Sequence, residues 1–335
     1  MLRPHSFLLL ALAALLPAYA LACAADTEAR DALVPPSGSE EDDDAGARPR
    51  ASSPSSETES ETEETPERHA DAGPDGSAPG RGLSTGCGKA PGAKGLSEPT
   101  LTIGGKVREY LKFVPTGYDA NEPMSLVIGL HGMTGTSEKA RSMFGLEAKA
   151  AGKAIFVYPQ ALVFTEGEFA GKTRWNFSAG SGDHAFLEAL ADAIEESYCI
   201  DRDRVFLVGF SNGAEMTAMA GCYHGDRYRA IAALAPGGLV KNFPLSRETC
   251  VGEVAAFTGV GTEDASHQAV SAHVRDHYRT ANGCGATRTA TTPTGCEAYR
   301  GCRADAPTTW CTWPAGHTWP SFGGAGVWGF FAALP

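Results

Sequence analysis

Residues 205–220 constrain the fold more than any other stretch of this chain. Four apolar residues, Val205-Phe-Leu-Val208, run directly into Gly209-Phe210-Ser211-Asn212-Gly213. A segment of small residues and methionine follows, with Ala214, Met216, Ala218, Met219 and Ala220. The first piece reads as a buried strand and the last as a helix, so the change of direction falls on a serine between two glycines. So tight a turn needs neighbours with almost no side chain, which Gly209 and Gly213 supply. Ser211 Oγ then stands clear of the backbone at a helix N-terminus, where N–H groups can stabilise a developing oxyanion. Gly-x-Ser-x-Gly alone recurs in many chains. Its setting makes it a candidate nucleophile elbow and not an ordinary βα turn.

The pattern around the elbow alternates. Leu101–Ile103 and Val107–Val114 read as a hairpin about Gly104-Gly105, and Leu126–Leu130 as a buried strand ending at His131-Gly132. A helix over about 137–151 leads to a strand over Ala154–Tyr158, stopped by Pro159. Helical spacing runs from Ala185 to Tyr198, with Asp183 as expected N-cap. After the elbow come strands at Ala230–Ala235 and Val254–Val260, a helix from about 266 to 280, a last strand Thr309–Trp313 and a closing helix Val327–Ala333. Short apolar strands alternating with helices predict an α/β fold: a mostly parallel sheet covered on both faces. With an antiparallel hairpin in front and the serine in the fifth strand, the arrangement expected is that of an α/β-hydrolase, in one domain over residues 83–335.

The N-terminal quarter has a different character. Arg3, the apolar run Phe7–Leu16 and the small residues of Ala18–Ala22 read as a signal peptide over residues 1–22, so the protein is expected to be exported. No later segment approaches the roughly 20 apolar residues of a membrane span. Residues 24–82 hold 16 Asp and Glu against five Arg and no Lys, with hardly a large apolar side chain. They cannot bury enough surface to offset ordering entropy, and residues 23–82 are expected to form a disordered acidic linker. This segment carries −11 of the net −12, and Arg3 is positive, which leaves −2 for residues 83–335. A nearly neutral domain has no electrostatic footprint for nucleic acid. Nine cysteines in an exported chain imply oxidising chemistry. Eight lie in the globular part, consistent with four disulfides. Cys23, at the signal boundary, is a candidate for lipidation and membrane anchoring, with simple cleavage and release as the alternative.

A serine hydroxyl is a weak nucleophile until a histidine takes its proton and a carboxylate orients that histidine. In this fold the chain order is serine, acid, histidine. The strand Val254–Val260 is followed by Gly261-Thr-Glu-Asp264, so Asp264 is the expected acid, with Glu263 as its rival. Trp310-Cys-Thr-Trp-Pro-Ala-Gly-His317 places His317 in the loop after the last strand, as the expected base. Oxyanion donors are expected from the N–H of Asn212 and from the loop His131–Gly135, with Met133 preferred to Thr134. His131 is read as bracing that loop. His267, His273 and His277 lie on or near one helix. The last two share a face, but without an acidic third ligand they read as solvated or packing residues, and no metal or cofactor is expected.

At this point the chain resembles the secreted feruloyl esterases of the first carbohydrate-esterase family and the related polyhydroxybutyrate depolymerase-like esterases, over about residues 86–332. The resemblance rests on Gly86-Cys-Gly-Lys89, Ile103-Gly-Gly-Lys-Val-Arg-Glu-Tyr110, Leu130-His-Gly132 and Tyr198-Cys-Ile-Asp201. It continues through Arg204–Gly213, Asn282-Gly-Cys284, Tyr299-Arg-Gly-Cys-Arg303 and Gly316-His-Thr-Trp319. It implies Ser211 as nucleophile, Asp264 as acid and His317 as base. It also implies a Cys284–Cys302 disulfide, which leaves Cys296 with Cys311 as an additional pair. Cys222, at the end of the elbow helix, is expected to pair with Cys250, and Cys87 and Cys199 then remain for each other. The chain departs from the pattern at Ala214-Glu215, where a glycine and an apolar residue are usual. Glu215 is read as a solvated acid of the first helical turn.

The expected activity is that of a monomeric serine carboxylesterase working through an acyl-enzyme on polymeric or oligomeric esters. Feruloyl-type esters of plant polysaccharides lead, with 3-hydroxybutyrate polyester or its oligomers, or acetylxylan, as alternatives. A non-catalytic surface-binding protein and a peptidase are the readings from other classes. Thr134, Trp175 and Trp319 are candidates for substrate contact, and Trp175 reads equally as packing its own loop.

Overall fold

A computed structural model describes residues 80–90, 92–246 and 248–335. The expected signal peptide, Cys23 and nearly all of the acidic segment lie outside the described residues.

An eleven-stranded sheet forms the centre. Its N-terminal edge is built by β1 (Gly95–Ser97), β2 (Thr100–Ile103) and β3 (Lys106–Val114). Strand β2 pairs with β3 as the antiparallel hairpin expected around Gly104-Gly105. Next come β4 (Met124–Leu130), helices α1 (Ser137–Phe144) and α2 (Leu146–Ala150), and β5 (Ala154–Pro159). The single helix expected over 137–151 is thus two, broken where Gly145 takes a left-handed φ of +59°. Helix α3 (Gly182–Ser197) leads to β6 (Ile200–Phe210), α4 (Asn212–Tyr223) and β7 (Ala230–Leu234). Strand β8 (Ala255–Gly261), α5 (Gln268–Ala281), β9 (Arg288–Thr291), β10 (Cys296–Tyr299), β11 (Thr308–Trp313) and α6 (Gly323–Ala332) complete the chain. The elbow follows the sixth strand and not the fifth, because β1 was not anticipated.

Asp183 does not cap α3. Ser181 occupies the N-cap position, and Asp183 enters the first turn. There its buried carboxylate accepts from Arg108 Nη2 of β3 and from the Asn176 N–H, each at 2.7 Å.

In the sheet the strands run β1-β3-β5-β4-β6-β7-β8-β11-β10-β9. The six from β5 to β11 are parallel, and both flanks are antiparallel. Along β4 and β6 the side chains alternate between two cores. Leu126, Ile128, Leu130, Val205 and Leu207 join the one covered by α3, α4 and α5. Val127, Phe206, Val208 and Phe210 join the one covered by α1, α2 and α6. Burial on both faces explains why these strands read as continuous apolar runs.

Connectivity also locates the site. From β4 the chain steps outward to β5, then returns across β4 to β6 and continues the other way. Ligands of open parallel sheets settle at such a reversal, beyond the carboxyl ends of the strands. Ser211 follows β6 there, beside the loop after β4.

Four disulfides cross-link the domain: Cys87–Cys199, Cys222–Cys250, Cys284–Cys302 and Cys296–Cys311. These are the combinations named from the sequence. Cys296 and Cys311 face each other across the β10–β11 ladder. Among the described residues no helix is long and apolar enough to cross a membrane.

Candidate active site

Strand β6 delivers Ser211 into a backbone conformation of φ +57°, ψ −125°. Such a position costs a non-glycine residue about 1–3 kcal/mol and persists only where its surroundings dictate it. Here they do. A Cβ on Gly209 would strike the Gly213 carbonyl, and one on Gly213 would strike the Leu130 carbonyl. Backbone therefore packs on backbone, with the Ser211 N–H donating to Leu234 O of β7 at 3.1 Å. The Cβ position of Gly132 lies 3.2 Å from Ser211 Cβ, which brings the loop after β4 against the serine.

That loop is held by His131 and Trp175. Nδ1 of His131 pairs with the Gly132 carbonyl at 2.7 Å, while Nε2 accepts the Ala161 N–H at 3.1 Å. Both contacts fit one tautomer, protonated on Nδ1, and burial pushes the imidazole pKa down and keeps the ring neutral. Trp175 is fully buried. Its indole N–H donates to His131 O at 2.8 Å and its backbone N–H to Asn212 Oδ1 at 2.7 Å, so it clamps the loop to the elbow. A ring with no exposed face cannot stack on a substrate, and of the two readings of Trp175 the packing one fits this burial. Thr134 spends its N–H on Thr173 O at 2.9 Å. Among the described residues the N–H groups of Met133 and Asn212 have no such partner. Trp319, half-buried, packs against Phe144 at 4.5 Å and Phe210 at 6.2 Å.

Asp264 follows β8 and is buried, whereas its rival Glu263 is exposed. His317 follows the adjacent β11, and its Nδ1 lies 2.7 Å from Asp264 Oδ2. Burial depresses the His317 pKa; the Asp264 hydrogen bond opposes that shift without cancelling it. For Asp264 burial raises the pKa, but the hydrogen bonds from two imidazoles outweigh it and leave the carboxyl below its ordinary value. Phe210, one residue before the serine, stacks on the His317 ring with centroids 4.7 Å apart. Among the described residues no hydrogen bond joins Ser211 Oγ to His317.

No family model matches the chain. It is 34% identical to feruloyl esterase C of Emericella nidulans over 166 residues, which are 47% of this chain and 54% of that protein. Over that stretch the chain is similar to feruloyl esterases. It spans about half the length of the feruloyl esterases it matches. It is also 29% identical to poly(3-hydroxyalkanoate) depolymerase C of Paucimonas lemoignei over 134 residues, covering 38% of this chain and 31% of that one. A solved ferulic acid esterase structure superposes with a TM-score of 0.50 at 17% identity, covering 72% of this chain and 95% of the other. The fold is that of the α/β-hydrolases.

Two residues stand differently from their sequence reading. Glu215 is buried, not solvated. Its Oε2 accepts from Asn212 Nδ2 at 2.7 Å and lies 3.6 Å from Arg174 Nη2, so it braces the elbow from the helix side. His267, read as solvated or packing, has Nδ1 2.6 Å from Asp264 Oδ1 and its ring stacked on that of His317. The available signal was spacing, since residues i and i+3 of a turn can bring their side chains together. His273 and His277 do pack, on Phe243 O at 3.1 Å and Cys250 Sγ at 3.3 Å.

Asp264, His267 and His317 each offer a ligand atom within 4.8 Å of the others. The two imidazole planes lie nearly parallel, 12° apart with centroids separated by 3.8 Å. A metal ion sits about 2.0–2.1 Å from a histidine nitrogen, in the ring plane. One ion cannot lie in two parallel planes that far apart, so the trio suits hydrogen bonding and not chelation. Cys222, Cys250 and His277 also cluster, but both sulfurs are in a disulfide.

Proposed function

We propose that residues 83–335 form a serine carboxylesterase domain acting through an acyl-enzyme, with feruloyl-type esters as substrates. The observation that carries this reading is the convergence of a strained Ser211 after β6, a buried Asp264 after β8 and His317 after β11, with the acid and histidine 2.7 Å apart. Ser211 Oγ attacks the ester carbonyl while His317 Nε2 takes its proton and returns it to the leaving alcohol. Asp264 holds the imidazole with Nε2 free and stabilises the imidazolium. The N–H groups of Asn212 and Met133, having no other partner among the described residues, receive the oxyanion. Catalytic hydrogen bonds of ligand-free enzymes are often long and tighten in the complex. The missing Ser211–His317 contact is therefore compatible with this mechanism.

Similarity to feruloyl esterase C supports the aromatic acyl class, and similarity to the depolymerase supports 3-hydroxyalkanoate esters as a second reading. Four disulfides support export to an oxidising compartment. Within this proposal the enzyme is a monomer, and lipid on Cys23 tethers it at the cell surface through the acidic segment. The experiment is a kinetic comparison of methyl ferulate, acetylated xylan and a 3-hydroxybutyrate trimer with wild type and Ser211→Ala. The feruloyl reading predicts highest kcat/KM on methyl ferulate and loss of all turnover in the variant. Preference for the trimer would move the assignment to the depolymerase class, and turnover surviving in Ser211→Ala would remove the mechanism.

A further inference from the structure

Asp264 serves two histidines. Oδ2 accepts from His317 and Oδ1 from His267, at 2.7 and 2.6 Å. Ser266 Oγ lies 3.2 Å from the same Oδ1 and 2.9 Å from His267 Nδ1, closing a small ring of hydrogen bonds around one carboxylate oxygen. The His267 imidazole lies face to face on His317, while Phe210 stacks on His317 as well. Two rings within 5 Å of one imidazole and nearly parallel to it cannot share a face without overlapping, so they occupy opposite faces. Hydrogen bonding thus fixes one edge of the His317 ring and stacking fixes both faces. Only the Nε2 edge remains for chemistry.

We propose that His267 is a positioning residue of this esterase: it locks the Asp264 carboxylate and the His317 ring in one arrangement and sets how readily His317 takes a proton. The inference rests on the serine esterase reading above and adds a fourth member to its proton-transfer machinery. Asp264 and Ser266 face His267 from its own turn, and His317 from the loop after β11. Glu215 faces it from α4: the Cβ position of Gly237 lies 2.9 Å from His267 Nε2 and 3.0 Å from Glu215 Oε1, so glycine at 237 lets the two approach. Arg174 pairs with Glu215 and offsets part of its charge. A neutral His267 donates its Nδ1 proton to Asp264 and takes up part of the carboxylate's charge. A protonated His267 would place a second cation against the face of the imidazolium that forms in the transition state. Both effects lower the proton affinity of His317; replacement by phenylalanine removes both, and replacement by asparagine removes the second.

Two variants separate its parts. His267→Phe keeps a ring against His317 but removes the donor and the charge, whereas His267→Asn keeps a donor for Asp264 but removes the ring and the charge. Steady-state kinetics on methyl ferulate across pH, with thermal melting of each protein, reads the outcome. The expected results are a kcat loss of about tenfold in His267→Phe with KM nearly unchanged, and partial recovery of kcat in His267→Asn. In both variants the acid limb of kcat/KM should move to higher pH. Reduced folding alone would scale the profile without displacing that limb. Superimposable acid limbs for wild type and both variants, or a loss confined to KM, would overturn the proposal. Ser211→Ala belongs in the same assay. If it stays active, the esterase reading falls and the inference with it. If it is inactive while the histidine variants leave the limb in place, the inference alone fails.

Discussion

Ser211, Asp264 and His317 carry the chemistry proposed for this chain, and the residues beside them determine whether it can occur. Gly213 shows how little room the elbow leaves. A methyl group there meets the Leu130 carbonyl, which belongs to the sheet and cannot move aside. Gly213→Ala should therefore cost more than the roughly 1–3 kcal/mol of an overpacked core, read as loss of soluble folded protein or a large fall in Tm. Burial sets the working state of His317. Its pKa is depressed from 6.5, so the neutral, proton-accepting form persists as pH falls through 6.5. The acid limb of kcat/KM should have its midpoint below that value. A midpoint above it would mean that another group limits the reaction. The places of Ser211, Asp264 and His317 after β6, β8 and β11 were legible in the sequence because each follows a strand in a recognisable order. The stacking of His267 on His317, the Arg174–Glu215 pair and the Trp175 clamp were not. Each depends on which loops the sheet brings together, and neither apolar period nor turn chemistry encodes that distance.

Strands and helices were legible in proportion to their burial. The parallel strands, apolar on both faces, stood out, as did helices α3 to α5 behind them. Strand β9 went unread because Arg288-Thr-Ala-Thr291 is a mostly exposed edge with no apolar alternation. Asp183 misled for a related reason: it has the chemistry of an N-cap, but a long-range partner, Arg108, captures it. The disulfides act at this scale too. Cys87–Cys199 spans 112 residues and Cys296–Cys311 spans 15. Loop-closure entropy assigns about 3 kcal/mol to a 15-residue loop and about 4.7 to a 100-residue one. Replacing both cysteines of the longer link by serine should therefore lower Tm more than the same change in the shorter. Equal losses would indicate that the shorter link matters through packing in the sheet and not through chain entropy.

For the molecule as a whole, the histidines set its tolerance of acid. Burial depresses the pKa values of His131 and His184, and that of His277 to about 4, from an ordinary 6.5. The folded state thus binds fewer protons than the unfolded chain below pH 6.5. Their contribution is fully present above that pH and is lost as pH falls from about 6.5 toward about 4. Asp264, with its pKa below 3.8, adds its own loss only at lower pH. Tm should therefore decline steadily between pH 6.5 and 4, and a flat profile there would contradict the buried, neutral histidines. The central claim, a serine activated by His317 and Asp264, has a more direct test. Wild type, Ser211→Ala and His317→Ala are incubated with a fluorophosphonate, which phosphonylates only an activated serine, and the product is mapped by peptide mass spectrometry. The account predicts one adduct, on Ser211, in wild type, no adduct in Ser211→Ala and strongly slowed labelling in His317→Ala. An adduct on another serine, or labelling of His317→Ala at the wild-type rate, would contradict it.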